Sequence, residues 1–405
     1  MKKTDLRKYA RLIARVGANV QKGQPVVITA TLDQPEFVTI LVEECYKAGA
    51  SSVEVRWHHP PVTRLGNKCK SVRQLQKVDE VAALRAKLDC ENKVCKISLR
   101  SVDPNAKTSY PERAAIHAKA QAPAMKGTAM KGKIQMCLAA VPNANWAKQV
   151  FPGERTSTAI DKLWDAILAA TRCDCDDPIA AWNEHNANLR KRSDYINSLN
   201  LKSVRYYAKN GTDVTIDTIP GAIVLGGAKY TSLDGYAYNA NIPTEECFAI
   251  GCRGANGIVY GTMPWCYQGK IIEDYWLRFE NGKVVEFDAR TNRDTLERML
   301  NTDEGASYLG EFAFVPWESP INRNGILFYD TLFDENACCH LALGNSFPGY
   351  FPGGAKYTKD EFKAMGMNYS AIHQDFMIGT ADLNIDGITE SGETVAIFRN
   401  GTWAF

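Results

Sequence analysis

Pro25-Val26-Val27-Ile28-Thr29-Ala30, a helical apolar period over 35–48 closed by Gly49, and Ser52-Val53-Glu54-Val55-Arg56-Trp57 form the stretch on which the fold turns. Two short β-branched runs flank a helix whose inward positions are Phe37, Ile40, Leu41 and Cys45, which reads as a βαβ crossover. Working outward, Leu6, Tyr9, Ala10, Leu12, Ile13 and Val16 share one helical face and predict a helix before the first strand. Beyond it the pattern predicts a helix over 72–87, a strand over 94–99, a helix near 111–131 and a strand over 134–140. This alternation implies a mostly parallel sheet covered on both faces. Residues 145–199 read as helical, broken near Pro152 and Pro178.

After about residue 200 the pattern changes. Asn210-Gly211 lies between Val204-Arg205-Tyr206-Tyr207 and Val214-Thr215-Ile216-Asp217, a strong hairpin signal. Asn281-Gly282 and Asn400-Gly401 repeat it, and helices are expected near 292–308 and 335–344. The fold class is therefore α/β: an N-terminal, mostly parallel sheet domain over 1–198 and a C-terminal α+β domain over 199–405, rich in antiparallel strand.

Composition narrows the function. Lys and Arg number 48 against 46 Asp and Glu, so a net charge of +2 gives no general hold on nucleic acid or anionic lipid. The first eight residues lead into no apolar signal-peptide core, and no stretch approaches the roughly 18 apolar residues of a membrane helix. A cytoplasmic protein keeps its thiols reduced, so the twelve cysteines read as small buried hydrophobes. Their spacings, such as Cys90/Cys95, Cys173/Cys175 and Cys338/Cys339, match no zinc motif.

No dinucleotide fingerprint, P-loop, HExxH or GxSxG occurs, so any chemistry has to come from scattered residues. Of the six histidines, His58 and His59 read as a loop closing a strand, and His117 and His185 as ordinary helix-surface residues. His373 and Asp375 differ, because alternate residues of a strand share a face and present an imidazole with a carboxylate. That is half of a site for zinc or cobalt, although the pair alone is common by chance. His340, on what reads as a short apolar helix over 336–344, is by itself more readily a buried core histidine. Glu311 is enclosed by Leu309-Gly310 and Phe312-Ala313-Phe314-Val315, where a carboxylate is costly to bury without a cation. Glu245-Glu246 precede the apolar run Cys247-Phe248-Ala249-Ile250.

The C-terminal half closely resembles the thermophilic metallopeptidase family of aminopeptidases, the group of aminopeptidases T and S and PepS. The resemblance is carried by Asn241-Ile242-Pro243-Thr244-Glu245-Glu246, Tyr308-Leu309-Gly310-Glu311, Phe328-Tyr329-Asp330-Thr331-Leu332-Phe333-Asp334-Glu335-Asn336-Ala337, His340-Leu341-Ala342-Leu343-Gly344 and Phe376-Met377-Ile378-Gly379. Looser matches extend it over essentially the whole chain. It implies metal ligands at Glu245, Glu311, His340, His373 and Asp375, a general base at Glu246, and two divalent ions (zinc, cobalt, manganese or magnesium). It also implies a cytoplasmic homodimer that removes N-terminal residues from short peptides, with no nucleic-acid or membrane partner.

One position departs from the family pattern. Phe347 stands where members have a tyrosine seven residues after the histidine of the His340 segment. A lost hydroxyl donor typically removes about 2.7–4 kcal/mol of transition-state stabilisation. The resemblance then requires a substitute hydroxyl from Tyr350 or Tyr357, a slow peptidase, or a different metal-dependent enzyme on the same scaffold, for example a non-haem iron dioxygenase acting on a hydroxylated pyridine.

Overall fold

Val26, Val27 and Ile28 are consecutive in a strand and all buried. Neighbouring side chains point to opposite faces, so both faces of the sheet around them are covered. The strand Pro25–Thr31 pairs in parallel with Ser52–His58 on one side and Cys95–Arg100 on the other. Met136–Ala140 and then Asn241–Ile242 continue the sheet, again in parallel. On one face, Tyr9, Phe37 and Trp164 of the helices Lys3–Leu12, Pro35–Ala48 and Thr156–Ala170 pack ring against ring. The Tyr9 hydroxyl donates to Ala140 O and accepts from Ala140 N–H, each at 3.1 Å, which pins the first helix to the sheet.

This computed structural model describes residues 1–103, 110–125, 132–250, 254–348, 351–353 and 356–405. They form two compact units, Met1–Asn183 with Ala228–Ile242, and Glu184–Gly227 with Pro243–Phe405. The sequence reading put everything beyond 198 in the second domain. The strand Asn241–Ile242 instead completes the parallel sheet of the first unit. The helix expected over 72–87 is two helices, Val72–Leu75 and Glu80–Glu91, because Ser71 caps the first and Asp79 caps the second. His58 ends the strand Ser52–His58, and His59 is the one-residue connection that also serves as N-cap of the helix Pro60–Cys69, where Pro60 suits the first helical position. None of the described cysteines is paired, and seven of them are buried.

The second unit is built on two antiparallel sheets. All three expected hairpins form, joining Leu201–Tyr207 to Asp213–Asp217, Lys270–Glu280 to Lys283–Thr291, and Thr394–Arg399 to Thr402–Trp403. They belong to one long sheet. The shorter sheet runs in the order His373–Met377, His340–Gly344, Leu309–Phe314, Cys247–Ile250, Leu225–Gly226. Val204, Tyr206, Ile216, Leu277 and Phe279 of the long sheet share one core with Phe312, Phe314, Leu341, Leu343 and Phe376 of the short one. The other face of the short sheet is where the candidate residues gather.

Candidate metal centre

His340 lies on a strand, His340–Gly344, and not on the expected helix. The segment alternates: Leu341 and Leu343 enter the core, and His340, Ala342 and Gly344 take the opposite face. Short apolar runs fit both periods, and here burial of the two leucines selects period two. Across the sheet, Ala342 stands opposite both Glu311 and Asp375, and Gly344 stands opposite His373. The residues between the polar groups thus carry a methyl group or no side chain, which leaves space above them.

Glu311 reaches this face through a register shift. Leu309 and Phe312 both enter the core although they are three residues apart, so one residue between them must be extra. The strand is irregular between Leu309 and Glu311, and a Cβ on Gly310 would lie 2.5 Å from Gly344 O. The bulge at Gly310 therefore turns the Glu311 carboxylate away from the core, toward the histidines.

The geometry is closely shared. His340 Nε2 is 3.4 Å from Glu246 Oε2 and 3.8 Å from Glu311 Oε1. His373 Nε2 is 3.3 Å from Asp375 Oδ1 and 3.9 Å from Glu311 Oε2. The donor atoms thus form two groups, Glu246/Glu311/His340 and Glu311/His373/Asp375, each within 4.8 Å, with Glu311 common to both. His373 Nδ1–H donates to Asn345 O at 2.8 Å, so in the neutral imidazole the Nε2 lone pair points at two carboxylates. The His340 ring is fully buried, and neither of its nitrogens makes a well-aligned hydrogen bond.

Charge is concentrated here as well. Burial raises the Glu311 pKa, opposed by His340 and reinforced by Glu246. Burial and the charges of Asp375 and Glu246 lift Glu335 well above the usual carboxylate range. Burial alone would lower the pKa of both histidines. The neighbouring carboxylates more than offset it, holding His340 well above its ordinary value and pushing His373 up to about 9. Asp375 is held low against its own burial by the His373 hydrogen bond.

The predicted residues divide. Glu311, His340, His373 and Asp375 converge. Glu246, expected as a general base, joins the first donor group. Glu245, expected as a ligand, does not: its Oε2 lies 3.7 Å from His185 Nε2. The reason is alternation, since Glu246 leads into a strand in which Cys247 and Ala249 enter the core. Tyr350 lies outside the described residues. Tyr357 packs its ring on Phe351 and Phe362, at 5.7 and 5.3 Å. Phe347 does border the site, with its ring centroid 4.5 Å from that of His373.

Two residues were missed. Glu335 ends the helix Thr331–Asp334 and shares the charge environment of Asp375, Glu246, His340 and Glu311. The anomaly that marked Glu311, an acid amid apolar neighbours, was present there too, in Leu332-Phe333 and Ala337-Cys338-Cys339. His185 donates from Nε2 to Thr244 O at 2.8 Å and is not an ordinary surface residue. It is about sixty residues from Thr244 in the chain, and no local pattern signals the contact.

The donor set fits divalent cations. Three carboxylates converge on two imidazoles, with Glu335 adding further negative charge nearby, and that excess of negative charge out of water calls for a cation. The lone pair of His373 and the unbonded ring of His340 have the environment of metal ligands. Comparison with known proteins agrees. The family model for thermophilic metalloproteases (M29) matches residues 2–403. Aminopeptidase AmpS of Bacillus subtilis is 40% identical over 405 residues, covering 99% of this chain and 98% of its own. The structure of wild-type AmpT from Thermus thermophilus matches with a TM-score of 0.88 and 34% identity, covering all of both chains. A 2,5-dihydroxypyridine dioxygenase from Pseudomonas putida KT2440 shares the fold at a TM-score of 0.51 and 10% identity, covering 99% of this chain and 96% of its own.

Proposed function

This chain belongs to the thermophilic metalloprotease (M29) family and is a metal-dependent aminopeptidase, and from that premise we propose that it works with two divalent ions held on either side of Glu311. The observation carrying this reading is that one carboxylate divides its oxygens between two histidines, each with a further carboxylate of its own. Glu246 and His340 would hold one ion, His373 and Asp375 the other, and Glu311 would bridge them. Glu246, Glu311 and Asp375 would offset three of the four positive charges of such a pair, and Glu335, which interacts with all three, would add a fourth carboxylate nearby.

Bound divalent ions supply Lewis acidity, which makes a nucleophile of water at neutral pH and polarises a carbonyl. The protein's own residues do the rest. Glu335, a carboxylate that interacts with both donor groups and belongs to neither, would take the proton of the attacking water and return it to the leaving amine nitrogen. The C–O bond forms first, placing charge on the carbonyl oxygen, and collapse of that tetrahedral centre breaks the peptide C–N bond as the nitrogen takes the proton, releasing one amino acid and a peptide shortened by one residue. His373 is kept in one tautomer by Asn345 O, and Phe347 covers one side of its ring. The ring of Phe347 has no hydroxyl to donate to a developing oxyanion, which predicts a modest turnover that Phe347→Tyr raises.

Substrates in this reading are short peptides, and the protein is a cytoplasmic homodimer, as the resemblance implies. No helix among the described residues is long and apolar enough to cross a membrane. The test is elemental analysis of the purified protein beside release of free amino acids from a panel of short peptides, before and after chelation. Two equivalents of zinc, cobalt or manganese with chelator-sensitive release supports the proposal. Oxygen uptake on a dihydroxypyridine with iron bound would overturn it.

A further inference from the structure

Glu246 reaches the first donor group from residues 244–246, which form no helix or strand. Its position is therefore not fixed by a ladder of backbone hydrogen bonds, and something else has to hold it. Two side chains do. His185, on the helix Pro178–Ser198, donates from Nε2–H to Thr244 O at 2.8 Å, and its side chain is only 11% exposed. Asn336, fully buried, accepts the Glu245 N–H at its Oδ1 at 2.7 Å. The Nδ2 of Asn336 donates to Leu332 O at 3.0 Å and, more weakly, toward Glu335 Oε1 at 3.4 Å. The amide orientation is fixed by these partners, since only this way does the oxygen face an N–H and the nitrogen face a carbonyl. Glu245 completes the clasp from the side away from the site: its carboxylate lies by His185 and acts on Arg192, two turns along the same helix.

We propose that His185 and Asn336 are positioning residues that hold the segment 244–246 so that Glu246, and not Glu245, faces His340 and Glu311. Neither touches the donor groups; His185 acts through the 244–246 segment alone, while Asn336 also approaches Glu335, so the test reads metal binding and not turnover. The inference rests on the two-group reading above and makes a selective claim within it. Loosening the clasp weakens the ion held by Glu246 and His340 and leaves the ion held by His373 and Asp375 alone. Outer contacts of this kind are commonly worth about 10–100-fold in metal affinity. A general loss of fold would weaken both ions together.

The experiment is calorimetric titration of zinc into the chelator-stripped full-length protein, comparing wild type with His185→Ala, His185→Gln, Asn336→Ala and Glu246→Gln. In His185→Ala and Asn336→Ala one binding step should weaken by about 10–100-fold while the other stays within about threefold. The weakened step should be the one that Glu246→Gln abolishes. His185→Gln keeps a donor for Thr244 O and should recover most of the affinity, which covers the case where Asn336→Ala fails to fold. Equal weakening of both steps, or no weakening in His185→Ala, would overturn the inference. A wild type binding a single ion would sink the two-ion reading instead. The clasp would then stand if His185→Ala weakened that one ion and fall if it did not.

Discussion

Glu245 and Glu246 are neighbours in the chain whose carboxylates serve opposite sides of it: Glu246 Oε2 lies 3.4 Å from His340 Nε2, and Glu245 Oε2 lies 3.7 Å from His185 Nε2. Their exchange should therefore be unequal. Glu246→Gln removes a charged donor from the first group and should lower bound metal from two equivalents to one, with activity falling at least 100-fold. Glu245→Gln leaves the donor groups intact and should keep both equivalents. Elemental analysis of the two variants checks this, and metal loss confined to Glu245→Gln would reverse the assignment.

That inequality also marks what could be read without coordinates. A βαβ pattern and three Asn-Gly turns are local signals, and the parallel sheet and the hairpins followed from them. The pair His373 and Asp375 was legible because a strand has one simple period. His340 was assigned to the wrong element, since five residues of mixed size fit a helix as well as a strand until the core claims Leu341 and Leu343. The choice between Glu245 and Glu246 was not legible at all. It depends on which strand face meets the core, and on contacts with His185 and Asn336 that are distant in the chain.

Protons and cations compete for the histidines. Asp375 and Glu311 push His373 up to about 9 against the effect of burial, so near neutral pH its Nε2 holds a proton that an incoming ion must displace. Metal binding should therefore release protons, and apparent affinity should fall as pH falls below about 9, by up to about tenfold per unit for each proton displaced. Zinc titrations at pH 6.5 and 8.5, repeated in buffers of different ionisation enthalpy, measure both quantities. Equal affinity at the two pH values would contradict the prediction.

Gly344 faces His373 across the strand pair at φ +99°, and a Cβ there would lie 2.2 Å from Ile372 O. Gly344→Ala would have to move the backbone that carries His373, in addition to the roughly 1–2 kcal/mol cost of a left-handed side-chain-bearing residue. The expected outcome is a loss of more than about 2 kcal/mol in stability, together with weaker binding of the ion at His373 and Asp375. Ala342→Gly, on the same face, carries no such clash and serves as the control. Denaturation and metal titration of the two variants separate the effects.

In the first unit, the parallel sheet is tied to the helix Glu80–Glu91 by a nearly buried ion pair. Arg56 donates to both oxygens of Asp89, at 2.7 and 2.8 Å, and Lys96 adds a contact at 3.2 Å. Burial alone would raise the Asp89 pKa, but Arg56 and Lys96 more than offset it and hold it below the ordinary value. A carboxylate with a depressed folded pKa stabilises the fold above its unfolded pKa of about 3.9 and loses that contribution as pH falls through the folded value. Arg56→Met leaves Asp89 with Lys96 alone and should cost about 1–3 kcal/mol at neutral pH. The gap between variant and wild type should narrow steadily below about pH 4. Urea denaturation of both proteins at neutral pH and near pH 3 tests this; a gap that stayed constant or widened on acidification would mean that the pair contributes through packing of the arginine stem and not through its charge.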